Sequence, residues 1–326
     1  MTQEQILNAP GKTKTWRIQQ LLRLGLDRQE VARLVGTNYG FVHNVYARLF
    51  PERIRRRRTV SEVIEEAEYN LTNFFFNHTF GVEIEAFGIS RQELETELNN
   101  AGIPTRFEGY THATRDHWKI VTDSSIEGQQ SFEIVSPKLK GEEGLRQLKT
   151  VTLILRGLEA RVNRSCGLHI HFDASGFNAE TWKNIFKNYA KIEHVIDNFM
   201  PNSRRGNSNT FCKSVRTRNY EQRIDSMRNL VDAENAINHI YNHITRGSRF
   251  YKVNPAAYFR HRSIEFRQHS GTVNFSKIKN WILFLARFIE FSKQANLTQE
   301  NIESLRRFLP DEMINYFEAR RRELAA

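Results

Sequence analysis

Two cysteines in 326 residues are too few for a disulfide framework, and neither Cys166 nor Cys212 belongs to a spaced cysteine pair of the kind that holds structural zinc. A reducing compartment fits that scarcity. Long apolar runs are also missing. No stretch approaches the roughly 18 apolar residues of a membrane span, and the opening MTQEQILNAPGKTK lacks the apolar core of a secretory signal. The expectation is a soluble, cytoplasmic protein with no membrane partner. Internal repeats and low-complexity tracts are absent as well, which excludes solenoids and leaves one large domain or two of unequal size.

Charge is plentiful but uneven. Residues 1–60 hold 12 Lys+Arg against 4 Asp+Glu, whereas the remainder holds 36 against 33. A basic module that meets a polyanion is therefore expected at the front of the chain, although a solvated basic tail has the same composition. Apolar residues recur at three- and four-residue spacing from Thr15 to Phe50, predicting three short helices, with Asp27 and Glu30 as a capping-box-like start of the second and Gly36 as its break. Ala32, Gly36 and Val42 resemble the helix-turn-helix signature: a small residue where two helices touch, a glycine in the turn, and a β-branched anchor in the third helix. The resemblance implies that Asn38, Tyr39, His43 and Asn44 face nucleic acid, with Arg48 near the backbone. The run PERIRRRR then offers Arg53 and Arg55, Arg56, Arg57 and Arg58 to phosphates. The expected domains are a helix-turn-helix unit over 1–52, a basic linker and helix over 53–73, including a helix at 61–73, and a catalytic domain over 74–326.

In the large module, polar and apolar residues alternate along several short segments. A strand turns successive side chains to opposite faces, so in FGVEIEAFG Glu83 and Glu85 share one face while Val82, Ile84 and Ala86 share the other. RSCGLHIHFD does the same with His169, His171 and Asp173. Further strands are predicted over 116–126 (with Asp123), 131–137 (with Glu133), 248–253 and 261–269, the last placing Glu265, Arg267 and His269 opposite apolar residues. Helices are predicted over 91–101, 142–163, 181–199, up to about 245, over 276–295 and at the end of the chain. The Gly-, Ser- and Asn-rich 201–209 stretch, carrying Arg204 and Arg205, is predicted to be a mobile loop and a candidate lid. One polar-faced strand is ordinary. Five of them collecting carboxylates and imidazoles repel one another unless cations intervene, and oxygen-rich ligation with one or two histidines suits Mg²⁺ or Mn²⁺.

Taken in order, FGVEIE, W-K-I-V-T-D-S-S-I, F-E-I-V-S-P, N-R-S-C-G-L-H-I-H, R-G-S-R-F-Y-K-V-N and S-I-E-F-R-Q-H-S-G-T resemble the motif series of the amidoligases, carboxylate–amine ligases grouped with glutamine synthetase and γ-glutamylcysteine synthetase. The similarity runs from about Phe80 to Leu285. It implies an α+β fold, with a mainly antiparallel, curved, glutamine-synthetase-like sheet and flanking helices, preceded by the small all-α unit. It also implies that Glu83, Glu85, Glu133, His169 and Glu265 hold two divalent ions. His171 and Arg267 would face ATP, Arg246 and Arg249 would bind the γ-phosphate and the acyl phosphate with Asn254 nearby, and Asp123 would position or deprotonate the amine. Asp173 is left with a structural role.

The function this implies is ATP-dependent amide-bond formation through an acyl phosphate, between a carboxylate and an amine, on a substrate linked to or near nucleic acid. The pairing with a helix-turn-helix unit fits a bacterial or phage protein and leaves an oligomer open. The alternative is a nucleic-acid-binding regulator whose ligase-like domain senses a nucleotide or metabolite without turning it over.

Overall fold

The computed structural model describes residues 1–50 and 76–325. The predicted helix over 61–73 and Arg53, Arg55, Arg56, Arg57 and Arg58 lie outside the described residues. Contacts divide the chain into two compact units, Met1–Arg58 and Thr59–Ala326.

The described residues of the first unit form four helices where three are predicted: α1 (Gln3–Leu7), α2 (Lys14–Arg23), α3 (Arg28–Val35) and α4 (Tyr39–Leu49). The additional α1 is too short to show a period. A capping box starts it, with the Thr2 side chain and Gln5 satisfying each other's backbone amides. Asp27 caps α3 by accepting from Gln29 N at 2.7 Å, and this bond to the second amide takes the place of the expected reciprocal box with Glu30. Gly36 closes α3 in the left-handed region, φ 63°, where a Cβ would be strained. Ile18, Leu21, Val31, Ala32, Val42 and Val45 form the core, so two of the three signature positions, Ala32 and Val42, sit where the helices meet, while Gly36 is exposed at the end of α3.

The second unit is built on one eight-stranded sheet. Its strands are β1 (Thr79–Ala86), β2 (Thr105–Gly109), β3 (Trp118–Val121), β4 (Phe132–Val135), β5 (Leu139–Lys140), β6 (Gly167–Asp173), β7 (Val253–Asn254) and β8 (Ser263–Ser270). The order is β2-β3-β4-β1-β6-β8-β7, with β5 added to β1. Every pairing is antiparallel except β2 with β3. The helices among the described residues are α5 (Arg91–Asn100), α6 (Gly141–Gly157), α7 (Ala179–Asp197), α8 (Tyr220–Asp225), α9 (Ala233–His239), α10 (Ala257–His261), α11 (Phe275–Gln294) and α12 (Asp311–Ala325). None of the described helices is long and apolar enough to cross a membrane.

One sheet face is apolar and covered. Phe80, Val82, Ile84 and Ala86 from β1, Leu168, Ile170 and Phe172 from β6, and Ile264 and Phe266 from β8 are buried in one cluster with Leu148, Ile185, Tyr189, Trp281 and Phe284 of the helices. Each fully buried Val, Leu, Ile or Phe among them stabilises the fold by about 1.5–3 kcal/mol. Covering that face leaves the opposite one free to be polar.

Several expected elements shrink. The 116–126 strand ends at Val121, because Asp123 turns the chain by accepting from Ser125 N at 2.7 Å and Ser125 Oγ at 2.6 Å. The 142–163 helix stops at Gly157, and the 248–253 strand reduces to Val253–Asn254. The 201–209 loop is tied down where it was expected to be mobile. Arg204 is buried and donates to Cys166 O at 2.6 Å, Arg205 Nε donates to Met200 O at 2.8 Å, and Gly206 N donates to Asp197 Oδ2 at 2.9 Å. Composition showed the turn residues but not the partners waiting for them.

Candidate active site

Strand register assembles the polar face row by row. Residues directly opposite on neighbouring strands share a face. Glu85 faces Glu133 across β1 and β4, Glu83 faces His169 across β1 and β6, and His171 faces Glu265 across β6 and β8, which in turn faces Asn254 of β7. Residues from Glu83 to Glu265 in the chain thus meet on four adjacent strands and the short β7.

The contacts are close. Glu83 bridges the two histidines, with Oε2 at 2.9 Å from His169 Nδ1 and Oε1 at 3.3 Å from His171 Nε2. His169 Nε2 lies 3.6 Å from Glu85 Oε1 and its Nδ1 3.6 Å from Glu265 Oε1. Glu85 accepts from Gly167 N at 2.6 Å, and Glu265 accepts from Asn254 Nδ2 and Arg267, each at 2.5 Å. A side chain on Gly167 would press within 2.8 Å of His169 Nε2, so glycine is needed here for close approach.

Two overlapping triads result, Glu83/His169/Glu265 and Glu85/Glu133/His169, each with ligand atoms within 4.8 Å of one another. His169 belongs to both. A neutral imidazole has one free lone pair, so it can serve one cation at a time and donate its other N–H to a carboxylate. The donor set, four carboxylates and an imidazole, suits a hard divalent cation. His171 stands beside this donor set, with Nε2 3.3 Å from Glu83 Oε1 and 3.9 Å from Glu265 Oε1 and its Nδ1 3.0 Å from Ser263 Oγ.

Electrostatics point the same way. Burial pushes the Glu83 carboxyl up, but hydrogen bonds and charge from His169 and His171 win and hold it well below the usual range. Glu133 goes the other way: burial, then the charges of Glu83, Glu85 and Asp123, raise it well above that range despite Arg267. Burial raises Glu265 too, yet Arg267, His171 and His169 bring it down. Glu133 is thus the carboxyl with too little positive charge. In the folded chain it binds a proton more tightly than in the unfolded chain, so metal-free stability falls as pH rises from the ordinary carboxylate range through its raised value. Mg²⁺ is expected to raise the melting temperature, increasingly so at higher pH. Glu133→Gln should leave the metal-free melting temperature unchanged or higher and abolish most of the Mg²⁺ response; a full response in this variant would remove Glu133 from the donor set.

Not every expected residue joins the cluster. Asp123 lies at the Glu133 end, close enough to repel it, although its carboxylate is engaged in its own turn. Arg249 is exposed and stacks over Phe250 at 5.2 Å, a ring that Arg267 also approaches at 5.9 Å. Arg246 stands exposed in a left-handed turn, φ 51°, with no ion pair among the described residues. His269 leaves the polar face altogether. A bulge between β6 and β8 sets it opposite Leu168, buried, with its ring 5.7 Å from Trp281, and burial lowers it to about 4. Strict alternation missed the extra residue of the bulge.

Lys119 is the residue sequence reasoning passed over. It faces Val135 on β4, next in the row to Glu83, and is buried, with Nζ donating to Thr111 O at 3.1 Å and Ala113 O at 2.8 Å. Burial lowers it, against the charges of Glu83, Glu108 and Glu133. The signal was present in W-K-I-V, where a lysine alternates with buried neighbours.

In the first unit, Asn38, Tyr39, Asn44 and Arg48 are exposed. Asn38 is also the cap of α4, accepting from Phe41 N at 2.8 Å. His43 is half-buried, with Nδ1 2.9 Å from Arg28 and its ring stacked on Tyr39.

A family model described as "Putative amidoligase enzyme" matches residues 77–289. The chain belongs to the amidoligase family. The matched span contains every strand of the sheet and all the triad residues of this family member. Among solved structures, one described as a novel glutamine synthase homolog aligns with 82% of this chain and 70% of its own, at 10% identity and a TM-score of 0.37. No curated protein matches the sequence.

Proposed function

We propose that this amidoligase is an ATP-dependent carboxylate–amine ligase working through an acyl phosphate. The observation that carries the proposal is the convergence of Glu83, Glu85, Glu133, His169 and Glu265 in two triads beside Arg267. A carboxylate does not react with an amine at neutral pH, so it must first be phosphorylated, and a protein assists by neutralising the phosphoryl group and keeping water out. Bound there, two Mg²⁺ or Mn²⁺ ions would supply Lewis-acid neutralisation of the phosphate oxygens of ATP. Glu83, Glu85, Glu133, His169 and Glu265 would hold them.

The chain's own groups complete the task in this proposal. Arg267, fixed by Glu265, offers its remaining N–H groups to a phosphate, and Arg249 can swing in from the rim. His171 is aligned by Ser263 and can donate to the nucleotide. Asp123, freed from its turn, takes the proton of the attacking amine. Arg246 needs a rearrangement of its turn to take part. Turnover should yield ADP and phosphate, require Mg²⁺ or Mn²⁺, and need both an amine and a carboxylate; ATP cleavage indifferent to the metal would overturn the reading.

The acceptor is proposed to be linked to, or close to, nucleic acid, held by the helical unit acting as a helix-turn-helix domain. Arg48, with Arg55, Arg56, Arg57 and Arg58, would contact phosphates, while Tyr39, Asn44 and, after release from Arg28, His43 would reach the bases. DNA affinity should fall steeply with salt and disappear when residues 1–60 are deleted. Binding undiminished by the deletion would move the contact into the larger unit.

A further inference from the structure

The mouth of the carboxylate cleft has two walls, and both combine exposed aromatic rings with cations. On one wall Phe211, 45% exposed, meets Phe250 edge-on at 5.2 Å, and Arg249 lies over the Phe250 ring. Arg267 Nε reaches Phe211 O at 3.3 Å, which joins this wall to the cluster. On the other wall Tyr110 is 71% exposed and packs against His112, with its hydroxyl 2.8 Å from Nε2. That loop is held over the cleft by Lys119 and by Thr114, whose Oγ1 is 3.1 Å from His261 Nδ1; the His261 ring in turn abuts His171 at 6.3 Å. Arg260 is exposed and precedes His261 on α10, and after burial the charges of Arg249 and Arg260 lower His112. Neither has an ion-pair partner among the described residues.

Exposed aromatic rings beside arginines that lack an ion-pair partner among the described residues suit an anion that carries flat rings. A recessed floor below such a mouth is reached by a group unstacked from its neighbours, not by a base inside a duplex. We propose that this mouth binds a single-stranded segment of nucleic acid, with bases stacking on Tyr110 and Phe211 and the backbone on Arg249 and Arg260. This deepens the ligase reading and rests on it for the chemistry below: the substrate class becomes a group attached to an unpaired nucleotide, presented to the triads.

The test uses the full-length protein and a short single-stranded DNA bearing 5-iodouracil, with photocrosslinked peptides mapped by mass spectrometry. Crosslinks are expected around Tyr110 and Phe211, competed by unlabelled single strand and retained in the presence of Mg²⁺ and a non-hydrolysable ATP analogue. Tyr110→Ala and Phe211→Ala should each lower the crosslink yield there about tenfold. Arg249→Ala combined with Arg260→Ala should flatten the slope of log affinity against log salt by about 1.4, the value for two single-strand phosphate contacts. Crosslinks confined to residues 1–58 would overturn the proposal. So would mouth crosslinks abolished by the ATP analogue, since the rings would then belong to the adenine of ATP. ATP turnover without mouth crosslinks removes this inference and leaves the ligase reading; mouth crosslinks without turnover under any condition do the reverse.

Discussion

Glu83→Gln is expected to reduce Mg²⁺-dependent ATP turnover by about a hundredfold or more while leaving the fold intact. The substitution keeps the volume and one acceptor oxygen but removes the charge that bridges His169 and His171 at 2.9 and 3.3 Å. Without it, a cation site loses a carboxylate and both imidazoles lose the group that aligns them. Arg267→Ala should be comparably damaging, since Glu265 would keep its place but lose its counter-charge. Arg267→Lys retains charge but not the planar fork, so only partial recovery is expected. Steady-state kinetics with melting curves decide the matter: folded variants with near wild-type turnover would mean that the catalytic centre lies elsewhere.

The second large effect concerns stability. Lys252 is fully buried, with Nζ 2.9 Å from Glu193 Oε1 and 2.7 Å from Asp197 Oδ1. The other carboxylate oxygens receive Val215 N and Gly206 N, both at 2.9 Å, and Gln268 Nε2 donates to Asp197 at 2.6 Å while accepting from Tyr189. One ammonium therefore compensates two carboxylates that hold the 206–215 segment and the end of β8. Lys252→Met fills the space but strands both charges, at an expected cost of about 3–5 kcal/mol. Adding Glu193→Gln and Asp197→Asn should recover a good part of that loss, because the penalty comes from unpaired charge. Urea denaturation measures it; a loss below about 1 kcal/mol for the single variant would mean that water reaches the network.

Much of the site was legible because strands convert spacing into position. Two residues apart means one face, so E-x-E and H-x-H announced their neighbours before any pairing was known, and the ordered motif series supplied the order of the pieces. Register was not legible. That Glu133 lies opposite Glu85, or that Asn254 reaches Glu265, depends on which strands pair, and no single segment encodes that. The bulge that turns His269 inward adds one residue to one strand and has no signature in RQHSG. Charged residues on the helix side were hidden for another reason. Lys252 and Glu193 look like ordinary surface residues until each is seen to compensate the other. The loop carrying Arg204 was misjudged likewise, since glycine, serine and asparagine mark a turn but do not say whether it is anchored.

The most direct measurement is to supply ATP, Mg²⁺ and a panel of carboxylates, with hydroxylamine replacing the amine. An acyl phosphate would be trapped as a hydroxamate, in step with release of ADP and phosphate. Hydroxamate and ADP in equal amounts, both absent in Glu83→Gln, is the expected result. Formation of AMP and pyrophosphate, or hydroxamate that persists in that variant, would contradict the assignment of this cleft as an acyl-phosphate ligase centre.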